Sequence, residues 1–290
     1  MNSQKLKKIY LLPNVITAFG LSCGLFVIFK MNMTGIGEAD IQTLTATTGI
    51  LLLAAFADLI DGAVARVIKA ESEFGGIFDS LADAISFGVA PSVIVLKSLS
   101  VIPGTKLSFL VTTAAIIFSL CGVLRLVRFN VQALEAKGNT ELTLANKKHF
   151  TGLPIPGAAA AAVSFNLFLM SDEFQSLITL TETAHAWIVS LMMIILGYLM
   201  ISKWKFPSVK SLEIRVASFQ TVFLTVISAV LIFFGILHYF AIVFVAIAWS
   251  YIALAITLSI IRMIAGRKSK TLEDFEPDPE DDLDEIHIDE

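Results

Sequence analysis

The chain has 290 residues and a formal net charge of −4, and 56% of its residues are hydrophobic. Its mean hydropathy is +0.79. A soluble domain of this length would need more polar residues to cover its surface, so the composition excludes that class and predicts a polytopic membrane protein. The apolar runs are continuous and do not alternate with polar residues, which predicts transmembrane helices and argues against a β-barrel.

Eight apolar runs are each long enough to cross a bilayer, which takes about 20 helical residues. Before the first run, residues 1–11 are predicted to form an amphipathic segment on the membrane surface. After the last run, residues 266–290 are predicted to form a disordered acidic cytoplasmic tail, since no Lys or Arg follows position 270. In chain order, the eight runs lie at about 12–30, 43–68, 75–97, 106–129, 154–171, 184–203, 215–236 and 239–263.

Lys and Arg near the ends of the runs determine the predicted orientation. If the N-terminus is cytoplasmic, all but three of the 21 Lys and Arg fall on the cytoplasmic side. The three exceptions are Lys30, Lys97 and Lys106. The positive-inside rule therefore predicts an integral protein of the cell (inner) membrane, with both termini in the cytoplasm.

Four aspartates, Asp58, Asp61, Asp79 and Asp83, fall inside the second and third predicted spans. An ionised Asp at the centre of a spanning helix is unfavourable by about 2.5–3.5 kcal/mol, so each of the four calls for a function. Asp58 and Asp61 are three residues apart, and Gly75, Asp79 and Asp83 follow one another at intervals of four. These spacings place each set on one face of its helix. The short connection between the spans predicts a tight hairpin in which all four carboxylates converge.

The residues around the carboxylates indicate a ligand that carries phosphate. Carboxylates so close together repel one another unless a cation lies between them, and all-oxygen ligation suits Mg²⁺ or Mn²⁺. Small residues next to the carboxylates leave room for a ligand, and Arg66 adds a guanidinium suited to phosphate. The pattern predicts a metal-dependent site for a phosphorylated nucleotide or a lipid head group. The small residues are Gly62, Ala65, Gly75 and their neighbours Ala63 and Gly76.

The same residues form the pattern D-x-x-D-G-x-x-A-R, eight residues, G-x-x-x-D-x-x-x-D, which begins at Asp58 and ends at Asp83. This pattern resembles the signature of the CDP-alcohol phosphatidyltransferase family at every fixed position. Five further stretches are similar to the phosphatidylserine synthase branch of that family. They are LPNVIT (12–17), FDSLADAISFGVAPS (78–92), RLVRFNV (125–131), GLPIPGAA (152–159) and KFPSVK (205–210).

The resemblance implies an all-α membrane bundle with a six-helix catalytic core over residues 12–203 and two additional spans over 204–265. The implied reaction transfers a phosphatidyl group from CDP-diacylglycerol to L-serine and releases CMP. The implied enzyme is a homodimer in the lipid bilayer with no nucleic-acid partner. The resemblance also implies a role for each residue of the pattern. The metal ligands would be Asp58, Asp61, Asp79 and Asp83, and Asp83 would also act as the general base. The residues in contact with CDP-diacylglycerol would be Gly62, Ala65, Arg66 and Gly75.

Acceptor recognition is less closely determined by the sequence. Arg125, Arg128 and Asn130 end the fourth predicted span on the cytoplasmic side, where a guanidinium would bind the serine carboxylate or a lipid phosphate. Arg at this position also satisfies the positive-inside rule without any substrate. Glycerol 3-phosphate or an inositol phosphate is an alternative acceptor, and a divalent-cation or proton-coupled transporter is a remote alternative. The sequence is compatible with either a diacyl lipid or an archaeal ether lipid as the substrate.

Overall fold

The computed structural model describes residues 3–68, 72–135, 149–202, 204–207, 235 and 238–265. These residues form long helices joined by short connections, with one π-helical segment and two short strands. The elements are α1 Ser3–Met33, α2 Ile41–Val67, α3 Glu73–Asp83, the π segment Ala84–Val89, α4 Ala90–Ser98, α5 Lys106–Glu135, β1 His149–Thr151, α6 Ile155–Leu169, α7 Asp172–Leu177, α8 Glu182–Ile201, β2 Lys205–Pro207 and α9 Phe240–Ala265.

Five helical stretches in the described part of the chain are long and apolar enough to cross a membrane. They correspond to the first, third, fourth, sixth and eighth predicted spans. The second predicted span is the 27-residue helix α2, whereas the fifth is α6, which has only 15 residues. The seventh lies outside the described residues except at residue 235. The all-helical membrane architecture is therefore confirmed, while the count of eight spans and the orientation stay predictions. The five stretches are Leu11–Met33, Phe74–Ser98, Lys106–Gln132, Glu182–Ile201 and Phe240–Ile261.

Side-chain caps determine where the two aspartate-bearing helices begin. Asp40 precedes α2, and its carboxylate accepts a hydrogen bond from the Thr43 amide at 2.8 Å. Hydrogen bonds from the side chain and the backbone of Thr43 lower the pKa of Asp40. Ser72 precedes α3, and its hydroxyl accepts from the Gly75 amide at 3.0 Å. Both caps satisfy an amide that the first helical turn leaves without a partner, and so they stabilise the start of each helix.

Helix α1 is the common packing partner of the aspartate-bearing elements. It lies along α2 and also contacts α3, the π segment and α4, whereas α2 makes few contacts with α3 or with the segments that continue it. The second and third predicted spans do bring their aspartates together, as the hairpin prediction requires, but most of their packing is against α1. The approach is close because α1 has Gly24 at this surface, where an added Cβ would lie 2.8 Å from the Cα of Ser86. Helix α1 is also continuous from Ser3, and the surface position of residues 1–11 stays a prediction.

Helix α6 lies in the interior of the bundle. Ten of its residues are buried, and it packs against α8, α9, α4 and α2. A helix surrounded by protein need not match the bilayer thickness, which explains how a 15-residue helix occupies the place of the fifth predicted span. Helix α9 packs along α6, so the last predicted span joins the same bundle as the preceding helices. The acidic tail, residues 266–290, lies outside the described residues.

A small antiparallel ladder joins the chain before α6 to the chain after α8. Strands β1 and β2 pair with Phe150 opposite Phe206, and the Gly152 amide donates to the Trp204 carbonyl at 2.8 Å. Gly152 has a φ of +80°, and an added Cβ would collide with the Met200 carbonyl, so this turn requires glycine. The ladder brings the start of the GLPIPGAA stretch close to Lys205–Pro207, the described part of the KFPSVK stretch, about 50 residues later in the sequence.

Candidate active site

Three aspartates from two helices meet inside the bundle. Asp58 and Asp61 of α2 and Asp79 of α3 each place a carboxylate oxygen within 4.8 Å of the other two. Asp61 is buried, with 4% of its surface exposed, and the other two are partly buried. Three oxygen ligands at this separation, in a region screened from water, are the donor set that a hard divalent cation prefers. The structure thus contains a carboxylate cluster that could hold a metal ion.

Asp83 lies beside this cluster on the next turn of the same helix as Asp79. Its carboxyl group contacts that of Asp58, and it lines a cavity of about 10 Å³ together with the three clustered aspartates. A space of this size is comparable with that of one water molecule. The four carboxylates are therefore adjacent, as the spacing predicts.

The chain leaves regular α-helical geometry directly after Asp83. Residues Ala84–Val89 form a π-helical segment, a conformation that often occurs at functional sites. The wider turn presents the Gly88 carbonyl sideways, where it accepts hydrogen bonds from Ser119 at 2.9 Å and from Ser92 at 3.2 Å. Ser92 and Ser119 also hydrogen-bond to each other at 2.9 Å. These bonds tie the π segment to α5 and set the position of Asp83 relative to that helix.

A second, larger cavity of about 190 Å³ adjoins the carboxylate cluster. Asp61 and Asp79 line it, so the two cavities share two of the clustered aspartates. An added Cβ on Gly75 would lie 3.1 Å from the Asn14 side-chain oxygen, which shows how closely α1 and α3 approach at this wall. All four residues that the resemblance assigns to CDP-diacylglycerol line the same space, namely Gly62, Ala65, Arg66 and Gly75.

Helix α1 contributes polar groups to which the sequence analysis assigned no role. The Thr17 hydroxyl donates to an Asp61 carboxylate oxygen at 2.5 Å, and Thr17 lines both cavities. Asn14, one helical turn earlier, lines the larger cavity. Both lie in the LPNVIT stretch, and their spacing of three places them on one face of α1. That polar pair within an apolar span is the signal by which they could have been recognised.

The three polar residues predicted at the end of the fourth span differ in their surroundings. Arg125 is buried, with 9% of its surface exposed, and its positive charge interacts with Asp83. Arg128 donates from Nη1 to the Ile201 carbonyl at 3.5 Å, at the C-terminus of α8. Asn130 donates to the Ser80 hydroxyl at 3.0 Å and so links α5 to α3. Arg125 is therefore the one of the three that is buried, and its charge interacts with Asp83.

Comparison with known proteins assigns this arrangement to a family. The sequence profile of the CDP-alcohol phosphatidyltransferases matches residues 10–261, which include every residue of both cavities. The chain belongs to the CDP-alcohol phosphatidyltransferase family. The family's divalent metal fits the clustered oxygens of Asp58, Asp61 and Asp79.

Individual members of the CDP-alcohol phosphatidyltransferase family align over most of this chain. The CDP-diacylglycerol–serine O-phosphatidyltransferase of Helicobacter pylori is 30% identical over 205 residues, 71% of this chain and 75% of the relative. The enzyme of the same name from Bacillus subtilis is 32% identical over 199 residues, 69% of this chain and 91% of the relative. The archaetidylserine synthase of Methanothermobacter thermautotrophicus is 31% identical over 211 residues, 72% of this chain and 75% of the relative.

Proposed function

We propose that this protein is a phosphatidylserine synthase, which transfers the phosphatidyl group of CDP-diacylglycerol to L-serine and releases CMP. The observation that carries the proposal is the pair of adjoining cavities that share Asp61 and Asp79. One cavity presents a cluster of carboxylates and the other presents small residues with a guanidinium, which together suit a pyrophosphate joined to a nucleotide. The names of the aligned relatives support serine as the acceptor.

The larger cavity would hold the cytidine nucleotide. Gly62 and Gly75 leave the backbone of α2 and α3 accessible from the cavity, which allows a phosphate to approach closely. Arg66 lines the same wall and offers several N–H donors in a fork that matches phosphate oxygens. Asn14 adds an amide side chain at the same wall, which can both donate and accept hydrogen bonds.

The carboxylate cluster would hold the divalent ion that the reaction requires. Asp58, Asp61 and Asp79 supply the oxygen ligands, and the Thr17 hydroxyl orients the Asp61 carboxylate through its hydrogen bond. Mg²⁺ and Mn²⁺ both prefer such a donor set. Bound there, the ion would neutralise negative charge on the pyrophosphate and on the departing CMP.

Asp83 is proposed to act as the general base. Its carboxylate takes the proton of the serine hydroxyl while the serine oxygen forms a bond to the phosphorus that carries diacylglycerol. The bond from that phosphorus to the bridging oxygen breaks, and CMP leaves with the electron pair. Arg125, whose charge interacts with Asp83, would bind the serine carboxylate and so hold the hydroxyl near the base.

The location of the site follows from the substrate. The acyl chains of CDP-diacylglycerol stay in the bilayer, so the reacting phosphate must be met at membrane depth, which is why carboxylates are placed within apolar helices. The distribution of Lys and Arg supports a site that faces the cytoplasm, in the inner membrane of the cell. The proposal includes a homodimer as the oligomeric state, as the family resemblance implies.

The acceptor assay tests the proposed function directly. Purified protein is incubated with CDP-diacylglycerol, Mn²⁺ and labelled serine, and CMP and lipid products are measured. We expect phosphatidylserine and CMP in equal amounts, and no product with Asp79→Asn as the control. Faster turnover with glycerol 3-phosphate or inositol phosphate would assign another acceptor within the family. Flux of Mn²⁺ into liposomes without CDP-diacylglycerol, in place of CMP release, would favour a transporter.

Gly75→Leu is expected to weaken metal-dependent CMP binding. Gly75 lines the larger cavity beside Asn14 and Ser72, so a leucine side chain there would compete with the nucleotide for space. If the clash with the nucleotide costs about 1–3 kcal/mol, the cost found for overpacked protein cores, CMP affinity falls about 5- to 150-fold. The affinity is measured by calorimetry in detergent, with melting temperature recorded on the same samples.

The matched control for this prediction is Gly49→Leu. Gly49 also lies within a helix, but nothing lies within 4 Å of an added Cβ there, and it lines neither cavity. The control should keep the parent affinity for CMP. If Gly75→Leu binds CMP normally but melts well below the control, glycine serves helix packing at this position and the ligand explanation is wrong.

A further inference from the structure

Helix α3 carries two of the four carboxylates, yet few of its side chains pack against other helices. Among its residues whose burial is described, only Ala82 is buried, and Ile77 and Leu81 are each more than half exposed. Its main packing partners are α1 and the π segment that continues it. Because an element with few buried apolar contacts is held loosely, the placement of Asp79 and Asp83 depends on the polar contacts that tie α3 to its neighbours.

One such contact is a hydrogen bond between Ser80 of α3 and Asn130 of α5. The Asn130 side-chain amide donates from Nδ2 to the Ser80 hydroxyl at 3.0 Å, and that hydroxyl donates to the Gly76 carbonyl at 3.0 Å. Both side chains are partly buried, although Phe129 and Val131 beside Asn130 are exposed. Hydrogen bonds between polar side chains commonly join helices in membranes. The bond therefore ties α5 to the side chain and the backbone of α3.

The Ser80–Asn130 bond adjoins the carboxylate cluster but lies outside its cavities. Ser80 directly follows Asp79, a member of the trio, and Gly76 lines the larger cavity. Neither Ser80 nor Asn130 lines either cavity. The Nδ2 and Oδ1 atoms of Asn130 lie 3.0 Å and 3.2 Å from the Ser80 hydroxyl oxygen, so the amide is engaged with α3.

We infer that Asn130 is a positioning residue for the carboxylate cluster, which holds α3 through Ser80 and so keeps the aspartates of α3 next to those of α2. The inference rests on the proposed function, because it assumes that the cluster holds the divalent ion of the transfer reaction. Ligands from two helices bind an ion tightly only in molecules in which both helices are in place. If α3 is loosened, the apparent affinity falls with the fraction of molecules that stay competent. A residue that contacts only the acceptor would leave that affinity unchanged.

Asn130→Ala tests the inference because it removes the amide and leaves all four aspartates. We expect the Mn²⁺ concentration for half of the Mn²⁺-dependent gain in melting temperature to rise about 3- to 20-fold, the scale of a lost hydrogen bond between membrane helices. CMP affinity in the presence of Mn²⁺ should fall by a similar factor. Both measurements omit serine. At saturating Mn²⁺, KM for serine should stay within about twofold of the parent.

Variants of Ser80 test the same link from the α3 side. Ser80→Ala should match Asn130→Ala, and the double variant should be no more impaired than either single variant, because one link is lost in all three. Ser80→Thr keeps a hydroxyl at this position. It should therefore retain Mn²⁺ and CMP affinities within about twofold of the parent.

A chemically equivalent pair elsewhere in the bundle provides the matched control. Asn166 of α6 donates from Nδ2 to the Ser98 hydroxyl of α4 at 2.9 Å, and its Oδ1 lies 3.1 Å from the same oxygen. Both residues are buried, and neither lines either cavity. Asn166→Ala should lower the melting temperature at least as much as Asn130→Ala does. Its Mn²⁺ requirement and its CMP affinity should equal those of the parent.

Three results would overturn the inference. The first is parent-like affinity of Asn130→Ala for both Mn²⁺ and CMP. The second is a selective rise in its KM for serine, which would make Asn130 an acceptor contact. The third is an equal loss of Mn²⁺ and CMP affinity in Asn166→Ala, which would reflect a general loss of packing. Absence of serine turnover in the parent would instead refute the proposed function, and the measurements made without serine would still decide the role of Asn130.

Discussion

Asp83→Asn is expected to bind CDP-diacylglycerol as the parent does and to transfer its phosphatidyl group to serine about 10²- to 10⁴-fold more slowly, the usual contribution of general-base catalysis. Asn keeps the size of Asp and one oxygen, but it has no basic lone pair for the serine proton. Asp83 also lies outside the trio whose oxygens are within 4.8 Å of one another, so its replacement leaves that donor set intact.

Asp58→Asn is the matched comparison, because it makes the same chemical change within the trio. It should weaken metal-dependent CMP binding itself. For both variants, CMP affinity is measured by calorimetry and CMP release by single-turnover kinetics, which separate binding from chemistry. Two results would contradict the division of roles: transfer by Asp83→Asn at near the parent rate, or loss of nucleotide affinity by Asp83→Asn equal to that of Asp58→Asn.

Removal of divalent metal is expected to abolish both activity and tight CMP binding. Three carboxylates whose oxygens lie within 4.8 Å of one another repel one another and also repel a pyrophosphate, and a cation relieves both repulsions. After treatment with EDTA, Mg²⁺ or Mn²⁺ should restore activity in a saturable manner. The restoring concentration should rise for Asp61→Asn, and the metal-dependent gain in melting temperature should fall with it.

Asp40→Asn provides the control for metal dependence. Asp40 is the aspartate that directly precedes α2, where it caps the N-terminus of the helix and is exposed. Asn caps helices about as well as Asp, so stability should be retained. The concentration of Mn²⁺ needed for activity should equal that of the parent. Full activity of the parent protein in metal-free buffer would rule out the metal site.

Much of the site was predictable because helical spacing is a local property. Residues three or four apart share a helix face wherever the helix lies, so the faces carrying Asp58 and Asp61 and carrying Gly75, Asp79 and Asp83 could be read directly from the sequence. The match of these positions to a family pattern added the chemistry. Composition indicated a membrane protein, because the chain has too few polar residues to cover a water-exposed surface. The continuity of the apolar runs indicated helices, which satisfy their own backbone hydrogen bonds in lipid.

The relation between the helices was decided only by the tertiary structure. The sequence predicts that the second and third spans bring their aspartates together, and they do so, but it does not show that α1 packs against both spans. As a result Thr17 reaches Asp61, although the two are 44 residues apart. Such contacts depend on which small residues face each other across helices, and a single sequence does not reveal that pairing.

The surroundings of the candidate residues for acceptor binding also depend on packing between helices that are distant in the sequence. Arg125, Arg128 and Asn130 look equivalent as polar residues at the end of one span. In the structure, however, Arg125 is buried, whereas Arg128 donates to the Ile201 carbonyl and Asn130 to the Ser80 hydroxyl. The packing of α9 on α6 is also not visible in the sequence, because the hydrogen bond from the Trp249 indole to the Ala161 carbonyl joins residues 88 apart. The sequence by itself determined the helices and their chemical faces, whereas which faces meet was decided by packing between helices distant in sequence.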